Sequence, residues 1–222
     1  MEYRVEDKYL ITDVQIEYLK MKLQEVMKGD SHASDGTYVV RSLYFDDRYN
    51  SCLMDNENSI DKRYKYRIRT YNNDLSTIHL EKKSVCKGFV HKDSCDFDIE
   101  RISDITVPKT EDAFLYKCLY KDVTLKGFHP VSIVEYERMA FVEKIGNVRI
   151  TFDKNIGGCY EIDKFEDPII PLIPLLPRGT HIMEVKYDEV LPGYIKKLIN
   201  TGEYSKTSYS KYYYSRNAMI MC

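Results

Sequence analysis

The sequence contains no tryptophan and carries no marked excess of either charge. Its 33 Lys and Arg residues stand against 35 Asp and Glu residues, which gives a formal net charge of −2. A chain without a bulk positive field is not drawn as a whole to nucleic acid, so we expect no nucleic-acid partner. Any basic binding site must therefore be local.

The sequence also lacks a long apolar run. A membrane-spanning helix needs roughly 20 apolar residues, and no stretch of this chain approaches that length. The first residues run directly into a strand pattern, and we identify no secretory leader before it. We therefore expect a cytoplasmic protein.

Several catalytic motifs are missing. The sequence has no G-x-x-x-x-G-K-[ST] loop, no H-E-x-x-H and no G-x-S-x-G, which disfavours P-loop kinases, zincins and α/β-hydrolases. Its six cysteines are scattered without a C-x-x-C pair, which indicates free thiols in a reducing compartment. The five histidines are dispersed, and we interpret them as structural.

What the chain does contain is typical of a strand-rich protein with one good core, namely twenty tyrosines and 43% hydrophobic residues. Apolar alternation predicts strands at 2–11, 38–46, 61–72, 76–85, 131–143, 146–154 and 180–187. Helical spacing and caps predict helices from Asp13 to Gly29 and at 112–122, 189–200 and 207–219. Loops are predicted at 29–37 and over the four prolines between 168 and 177. The order predicts one α+β domain over residues 1–222, built on an antiparallel β-barrel.

Charged or hydroxyl-bearing side chains recur two residues apart in five segments. In a strand such residues share one face, while intervening apolar residues such as Val5, Tyr66 and Phe152 pack on the other. Strands that curl with the charged face inward would enclose a basic cavity suited to a phosphate chain and its metal. The alternative is a solvated outer face with ordinary surface ion pairs. The five segments are Arg4, Glu6 and Lys8; Lys65, Arg67 and Arg69; Glu81 and Lys83; Arg149, Thr151 and Asp153; and Glu184 and Lys186.

The row of Lys65, Arg67 and Arg69 covers about 13 Å of one strand face, the scale of a short phosphate chain. Guanidinium groups bind phosphate oxygens in pairs and lysines act as point charges, so the row suits a polyanion. The recurring Glu-x-Lys spacing adds carboxylates that can hold Mg²⁺ or Mn²⁺. Asp153 is a further candidate metal ligand, although an aspartate at a strand end is more often a turn former.

Eight short motifs, in order along nearly the whole chain, carry a resemblance to a known family. The motifs begin at Arg4 (RVEDKY), Val40 (VRSLYFD), Lys65 (KYRIR), Leu80 (LEKK), Tyr136 (YERMAF), Val148 (VRITFD), Met183 (MEVK) and Ser210 (SKY). With these motifs the chain resembles the VTC domain, the polyphosphate polymerase branch of the triphosphate tunnel metalloenzymes. Each motif is weak alone, but their shared order makes the resemblance specific.

The resemblance implies an antiparallel β-barrel that forms a tunnel, the triphosphate tunnel fold, with flanking helices. It implies ATP and inorganic polyphosphate as substrates and Mn²⁺ or Mg²⁺ as the cofactor. Carried over by position, the implied catalytic cations are Arg67, Arg69, Lys83, Arg138 and Lys211. Further implied phosphate contacts are Lys8, Lys65, Lys92, Arg149, Lys186 and Tyr136. The implied metal ligand is Glu184, with Glu6 and Glu81 as further candidates.

Two positions bear on the choice within the superfamily. Hydrolase and cyclase relatives begin E-x-E-x-K, whereas this chain has Arg4 in place of their first acid, which favours the polymerase branch. Lys206 lies five residues before Lys211, a spacing that misses one helical face, so we expect Lys206 not to point inward. A triphosphatase of the same fold and a non-catalytic polyphosphate sensor remain alternatives. Eukaryotic relatives sit in membrane complexes, so a separate membrane partner is also possible.

Overall fold

The computed structural model describes residues 4–30, 36–87, 89–102, 105–200 and 204–220. The beginning of the first predicted strand, at residues 2–3, and most of the predicted loop at 29–37 lie outside these ranges. The described strands are β1 (Val5–Thr12), β2 (Lys28–Gly29), β3 (Thr37–Asp46), β4 (Lys62–Tyr71), β5 (Ile78–Cys86), β6 (Phe89–Phe97), β7 (His129–Glu143), β8 (Val148–Cys159), β9 (Ile173–Pro174), β10 (Thr180–Tyr187) and β11 (Ser205–Lys206). The described helices are α1 (Asp13–Gln24), α2 (Ser51–Glu57), α3 (Phe114–Lys126), α4 (Gly193–Ile199) and α5 (Lys211–Ile220).

All these strands belong to one antiparallel sheet, in the order β11-β1-β10-β8-β7-β3-β4-β5-β6, with β2 on β7 and β9 on β8. The two edges approach each other at one isolated bridge, Arg4 to Val90. Farther along β1, its edge at Tyr9 and Leu10 is already paired with β11. The predicted antiparallel tunnel with flanking helices is confirmed. Among the described residues, the hydrogen-bonded ladder does not run continuously around the tunnel.

The predicted division into a charged and an apolar face is confirmed on most strands. Tyr66, Ile68 and Phe152 are fully buried on the face opposite the charged rows. Val5 is the exception, with 40% of its surface exposed, because it lies at the beginning of the edge strand. The sheet therefore packs its outer face against helices and turns its charged side chains inward.

Two apolar clusters hold the helices on the sheet. One joins α1 and α4 to β8 and β10, and buries Leu19, Phe152 and Ile195. The other joins α2, α3 and α5 to the central strands, and buries Tyr66, Leu119 and Tyr212. These clusters place helices around the sheet and leave its concave charged face free of apolar packing.

Helix α1 begins as predicted but ends earlier. Its cap is Thr12, one residue before the expected Asp13, and Thr12 forms a capping box with Gln15. The helix ends at Gln24, and Lys28 and Gly29 instead pair with the end of β7. The prediction that the helix continues to Gly29 is wrong because this pairing takes up the following residues.

The two predicted hairpins are confirmed. The β4–β5 turn contains Asn72 and Asn73, both with positive φ, a conformation that asparagine tolerates well. The β7–β8 turn contains Gly146 at φ 72°. Because the hairpins fix the register, Arg67 lies directly opposite Glu81 and Arg138 directly opposite Asp153.

Helix α5 packs closely against β8 at one end of the tunnel. A Cβ atom at Gly158 would lie only 2.9 Å from the Ser215 hydroxyl, so this approach requires glycine. The first residue of α5 is Lys211, whose side chain consequently enters the concave face of the sheet. The segment predicted as helical at 207–219 is thus a helix from Lys211 onward.

The proline-rich connector is a loop that pairs with the end of β8 through Ile173 and Pro174. Buried Arg41 holds its beginning by hydrogen bonds to the carbonyl oxygens of Phe165 and Asp167. Helix α2 was not predicted; its backbone N–H groups at Cys52 and Leu53 donate hydrogen bonds to the buried Asp46 carboxylate. Within the described residues, no helix is both long enough and apolar enough to cross a membrane.

Candidate active site

The concave face of the sheet encloses a cavity of about 750 Å³. Every site residue that the family resemblance implies, except Glu81, lines it, and the further candidate Asp153 does not. In the described residues, twelve Lys and Arg side chains and two carboxylates, Glu6 and Glu184, form its charged lining. The charged rows therefore point inward, as predicted, and do not form a solvated outer face.

Glu81 lies behind the arginine row and neutralises part of it. Its Oε2 atom accepts a hydrogen bond from Arg67 Nε at 2.6 Å and lies 3.7 Å from Arg69 Nη1. Lys92 reaches the other carboxylate oxygen at 2.9 Å. Although burial favours the neutral acid, Arg67, Arg69 and Lys92 lower the pKa of Glu81 far below its usual range. Both oxygens of Glu81 thus contact cations, and the carboxylate holds Arg67 in place.

Aromatic and hydroxyl groups hold the far side of the same arginine row. Arg69 donates to Ser42 Oγ at 3.0 Å and to the Tyr136 hydroxyl at 3.3 Å. Arg67 donates to the Tyr44 hydroxyl at 3.3 Å. Burial alone would raise the pKa of Tyr44, but the adjacent Arg67 and Arg69 lower it. The guanidinium planes are consequently fixed before any ligand binds.

A second cluster joins β7, β8, β10 and α5. Arg138 pairs with Asp153, and the Lys211 ammonium lies 2.5 Å from Asp153 Oδ2 and 3.0 Å from Glu184 Oε1. Asp153 is fully buried in the middle of β8. Its interpretation as a turn former is therefore wrong, because β8 continues to Cys159 and the aspartate faces inward. Both of its oxygens already bind cations.

On the adjacent strands β1 and β10, acidic and basic side chains alternate both along each strand and across the ladder. Glu6 lies directly opposite Lys186, and Lys8 lies directly opposite Glu184. We call these four residues the Glu/Lys checkerboard. Lys186 Nζ is 3.1 Å from Glu184 and 3.7 Å from Glu6, while Lys8 Nζ is 3.4 Å from Glu6 and 3.9 Å from Glu184. Each carboxylate thus contacts both ammonium groups.

Further cations surround these carboxylates and keep both ionised. Lys83 donates to both oxygens of Glu6 at 3.1 Å. Burial opposes ionisation, but Lys186, Lys83 and Lys8 lower the pKa of Glu6 well below its usual value. Against the same opposing burial, Lys186 and Lys211 lower the pKa of Glu184 in the same direction. Both acids are therefore charged at neutral pH.

Lys65 and Lys83 are the two cations whose charge is least favoured. Burial, followed by the positive charges of Lys8 and Arg67, lowers the pKa of Lys65 to about 7. Burial also lowers the pKa of Lys83 to about 7, although Glu6 partly opposes this shift. Lys65 contacts Ser210 Oγ at 3.3 Å, and within the part of the chain that the structure describes it forms no ion pair with a carboxylate. An entering anion would stabilise its charged form.

The remaining predicted residues lie toward the openings of the cavity. Arg149 pairs with Asp30 at 2.6 Å and contacts the Tyr38 hydroxyl at 3.0 Å. The side chain of Lys92 is 52% exposed. Lys206 lies on the opposite face of the sheet, where it pairs with Asp7 at 2.6 Å and is 68% exposed. The prediction that Lys206 points away from the site is confirmed.

The sequence analysis did not identify Tyr44, Arg63 and Ser210 as lining residues, although all three border the cavity. Tyr44 could have been found from its position two residues after Ser42 on an alternating strand. Arg63 likewise lies two residues before Lys65. Ser210 lies in the loop before α5, where no periodic pattern indicates direction.

The carboxylates fit a divalent metal only in part. Glu184 and Glu6 supply oxygen ligands of the kind that Mg²⁺ and Mn²⁺ bind. In the portion of the chain that the structure describes, however, no three acidic, histidine or cysteine side chains come together as a metal site. Such ions commonly bind one or two carboxylates together with substrate phosphates. The donor set therefore fits a metal that arrives with phosphate oxygens.

Comparison with protein families identifies the family of the chain. The family model described as the VTC domain matches residues 3–220. The chain belongs to the VTC domain family. This assignment covers the strands that line the cavity and the helix that supplies Lys211, and it supports a phosphate-handling function for the tunnel.

Solved structures agree with the VTC domain fold. The PH1819 protein of Pyrococcus horikoshii OT3 is similar with a TM-score of 0.53 at 14% identity, over 97% of this chain and 99% of that chain. A putative adenylate cyclase of Bacillus halodurans gives 0.49 at 11% identity, over 90% and 87% of the two chains. At these identities the first likeness speaks for the fold alone. No curated protein matches this VTC domain in sequence.

Proposed function

We propose that this VTC domain is a polyphosphate polymerase that transfers the γ-phosphate of ATP onto a growing inorganic polyphosphate chain. The observation that carries the proposal is the convergence of twelve Lys and Arg side chains, with only two carboxylates, on one cavity in the described residues. Such a lining suits an extended polyanion, because the cations come from several neighbouring strands and from helix α5. We take residues 1–222 as one domain and expect it in the cytoplasm.

In the proposed reaction, an oxygen of the terminal phosphate of the chain attacks the γ-phosphorus of ATP. A new P–O bond forms, the bond between the γ-phosphorus and the β,γ-bridging oxygen breaks, and ADP leaves with that electron pair. No side-chain base is needed, because a terminal phosphate is already anionic near neutral pH. The protein's task is positioning and charge stabilisation.

The fixed guanidinium groups match that task. Arg67 and Arg69 are held by Glu81 and by hydroxyl groups, and Arg138 is held by Asp153. Donors fixed in advance stabilise charge as it develops without reorganising during the reaction. Lys65, with its lowered pKa, gains most from a nearby phosphate. These side chains would keep the attacking and leaving oxygens in line.

A divalent metal, Mn²⁺ or Mg²⁺, would neutralise phosphate charge when bound. Glu184 is the residue we expect to hold it, with Glu6 beside it, whereas Glu81 is not among the residues that line the cavity. Arg4 lines the cavity where hydrolase relatives carry an acid, and it pairs with Asp188 at 3.1 Å. An arginine there adds no carboxylate to position a hydrolytic water, which favours the polymerase.

The experiment that tests this proposal is incubation of the purified protein with ATP and Mn²⁺, followed by separate assays of long-chain polyphosphate and free phosphate. Long chains support the polymerase. Free phosphate alone would establish a triphosphatase, and retained polyphosphate binding without either product would establish a sensor. Arg69→Ala should lose the product, whereas Lys206→Ala, which changes a lysine on the outer face, should keep it.

A further inference from the structure

In the Glu/Lys checkerboard, two lysine ammonium groups lie between the two carboxylates. Lys186 and Lys8 each contact both Glu6 and Glu184, at distances between 3.1 and 3.9 Å. The two ammonium groups therefore occupy the space between the carboxylates. That space is also where a divalent cation would have to lie to bind both acids.

This arrangement follows from sequence and register together. Both β1 and β10 contain Glu-x-Lys, and the strands run antiparallel. The register sets Glu6 against Lys186 and Lys8 against Glu184, so each acid has a base beside it on its own strand and across the ladder. A shift of two residues would instead have set like charges opposite each other, Lys8 against Lys186 in one direction or Glu6 against Glu184 in the other.

The surrounding charges make the site unfavourable for a metal on its own. Besides the two checkerboard lysines, Lys83 contacts Glu6, and Lys211 and Arg138 contact Glu184. Five cations thus face two carboxylates, with Asp153 already bound to Arg138 and Lys211. A dication would be repelled by these cations and would have to displace lysines that make good ion pairs.

A bound phosphate chain changes this balance. Its oxygens offer the ammonium groups of Lys8 and Lys186 an anionic partner of higher charge. Both lysines line the cavity, and Lys8 also donates a hydrogen bond to the Tyr209 carbonyl oxygen, in the loop before α5, at 2.9 Å. Lysine side chains are flexible and act as movable point charges. When they turn toward phosphate, oxygens of Glu6 and Glu184 become available as ligands.

We propose that Lys8 and Lys186 are internal counter-ions that keep a divalent cation away from Glu6 and Glu184 until a phosphate chain binds. Metal and phosphate then bind with positive coupling, and each increases the affinity of the other by the same factor. This inference rests on the proposed function in assuming that the cavity binds phosphate chains and a divalent metal. It does not depend on which reaction follows.

The test measures binding of Mn²⁺ rather than turnover. In equilibrium dialysis at pH 7, tripolyphosphate and its Mn²⁺ complexes pass the membrane, so any excess of Mn²⁺ on the protein side is bound to protein. We expect wild-type protein to retain Mn²⁺ about tenfold or more tightly when tripolyphosphate is present. Equal retention with and without tripolyphosphate would overturn the proposal.

Variants test the lysines directly, without any phosphate. Lys186→Met and Lys8→Met each remove one counter-ion and should bind Mn²⁺ alone about tenfold more tightly than wild type. Lys206→Met makes the same change on the outer face, beside Asp7, and should leave Mn²⁺ binding unchanged. If neither folded lysine variant gains affinity, the counter-ion role is refuted, whether or not the protein makes polyphosphate.

A double variant identifies the ligand. Adding Glu184→Gln to Lys186→Met should remove the gained Mn²⁺ affinity, because the freed carboxylate is then gone. Persistence of the gain in the double variant would contradict binding at the checkerboard. Thermal unfolding of each variant, followed by circular dichroism, verifies that the compared proteins are folded at the dialysis temperature.

Discussion

Arg138 holds the carboxylate of Asp153 through two hydrogen bonds, from Nε to Oδ1 at 2.6 Å and from Nη2 to Oδ2 at 2.8 Å. The two residues lie directly opposite each other in the β7–β8 ladder, and the aspartate is fully buried. Lys211 contacts the same carboxylate from α5. One buried acid therefore sets the direction of two of the predicted catalytic cations.

Removal of that acid should destabilise the protein and impair the site together. Asp153→Asn keeps the shape but leaves Arg138 and Lys211 without their buried negative partner, which we expect to cost roughly 3 kcal/mol of unfolding free energy. Denaturant unfolding measures the loss. Asp96→Asn changes an aspartate that is 98% exposed and lies 3.2 Å from His79, and it should change unfolding little. Equal effects of the two changes would contradict the assignment.

The planar guanidinium groups of the arginine row should contribute more to the reaction rate than their positive charge alone. Arg67→Lys preserves the positive charge but removes the paired N–H groups, one of which is held by Glu81 at 2.6 Å. We expect kcat for polyphosphate synthesis to fall by about 10²-fold. Arg101→Lys is the matched control, because Arg101 pairs with Asp112 outside the cavity. A drop of similar size in the control would indicate a general effect on the fold.

Phosphate binding should take up a proton at Lys65. The folded pKa of Lys65 is about 7, below the usual lysine value, so the free protein carries this side chain mostly neutral at pH 8. A bound anion raises the pKa again, and binding of tripolyphosphate at pH 8 should therefore take up about one proton more than binding by Lys65→Met. Calorimetry in buffers of different ionisation enthalpy measures this number. No difference from wild type would refute the assignment.

The lowered pKa of Lys65 also makes the stability of the ligand-free protein depend on pH. Between pH 7 and the ordinary lysine value, the unfolded chain binds a proton at Lys65 that the folded chain does not, so this residue adds stability as pH rises through that window. In Lys65→Met this contribution disappears. The unfolding free energy of wild type relative to the variant should therefore increase from pH 7 to 9, and a flat or falling difference would be contrary to expectation.

Glu184→Gln should abolish metal-dependent turnover, because it removes the carboxylate expected to hold the metal. Lys211 keeps its contact with Asp153 in this variant, so the melting temperature should fall less than in Asp153→Asn. Turnover is measured over a Mn²⁺ titration. Glu17→Gln changes an exposed acid on α1 and serves as the control. Unaltered activity of Glu184→Gln would refute its metal role.

Much of the fold and most of the site residues could be predicted from the sequence. The two-residue spacing at Lys65, Arg67 and Arg69 was sufficient to place them on one face, because side chains alternate along any strand. The asparagine pair at 72–73 was sufficient to predict the first hairpin. Helix α2 could not be predicted because its seven residues are too few for a periodic signal, and its N-cap residue, Asn50, makes no side-chain capping bond.

The sequence did not reveal the surroundings of Asp153 and Glu81, for the same reason in both cases. Asp153 was assigned to a strand end because the local pattern weakens after it, but pairing with β7 continues β8 to Cys159. Glu81 was counted among the metal candidates because its own segment does not show that Arg67 and Lys92 will lie on both sides of it. Each decision depended on a neighbouring strand rather than on the segment itself.

The sequence by itself determined which side chains share a face and, through eight ordered motifs, the family to which the chain belongs, because strand periodicity is a local property of the backbone. Only the tertiary structure decided which acid meets which base. Glu6 and Lys8 lie near one end of the chain and Glu184 and Lys186 near the other, and their contacts exist because β1 and β10 pair in one register. That register depends on packing across the whole sheet, since a shift of one residue would turn every inward charge to the outside.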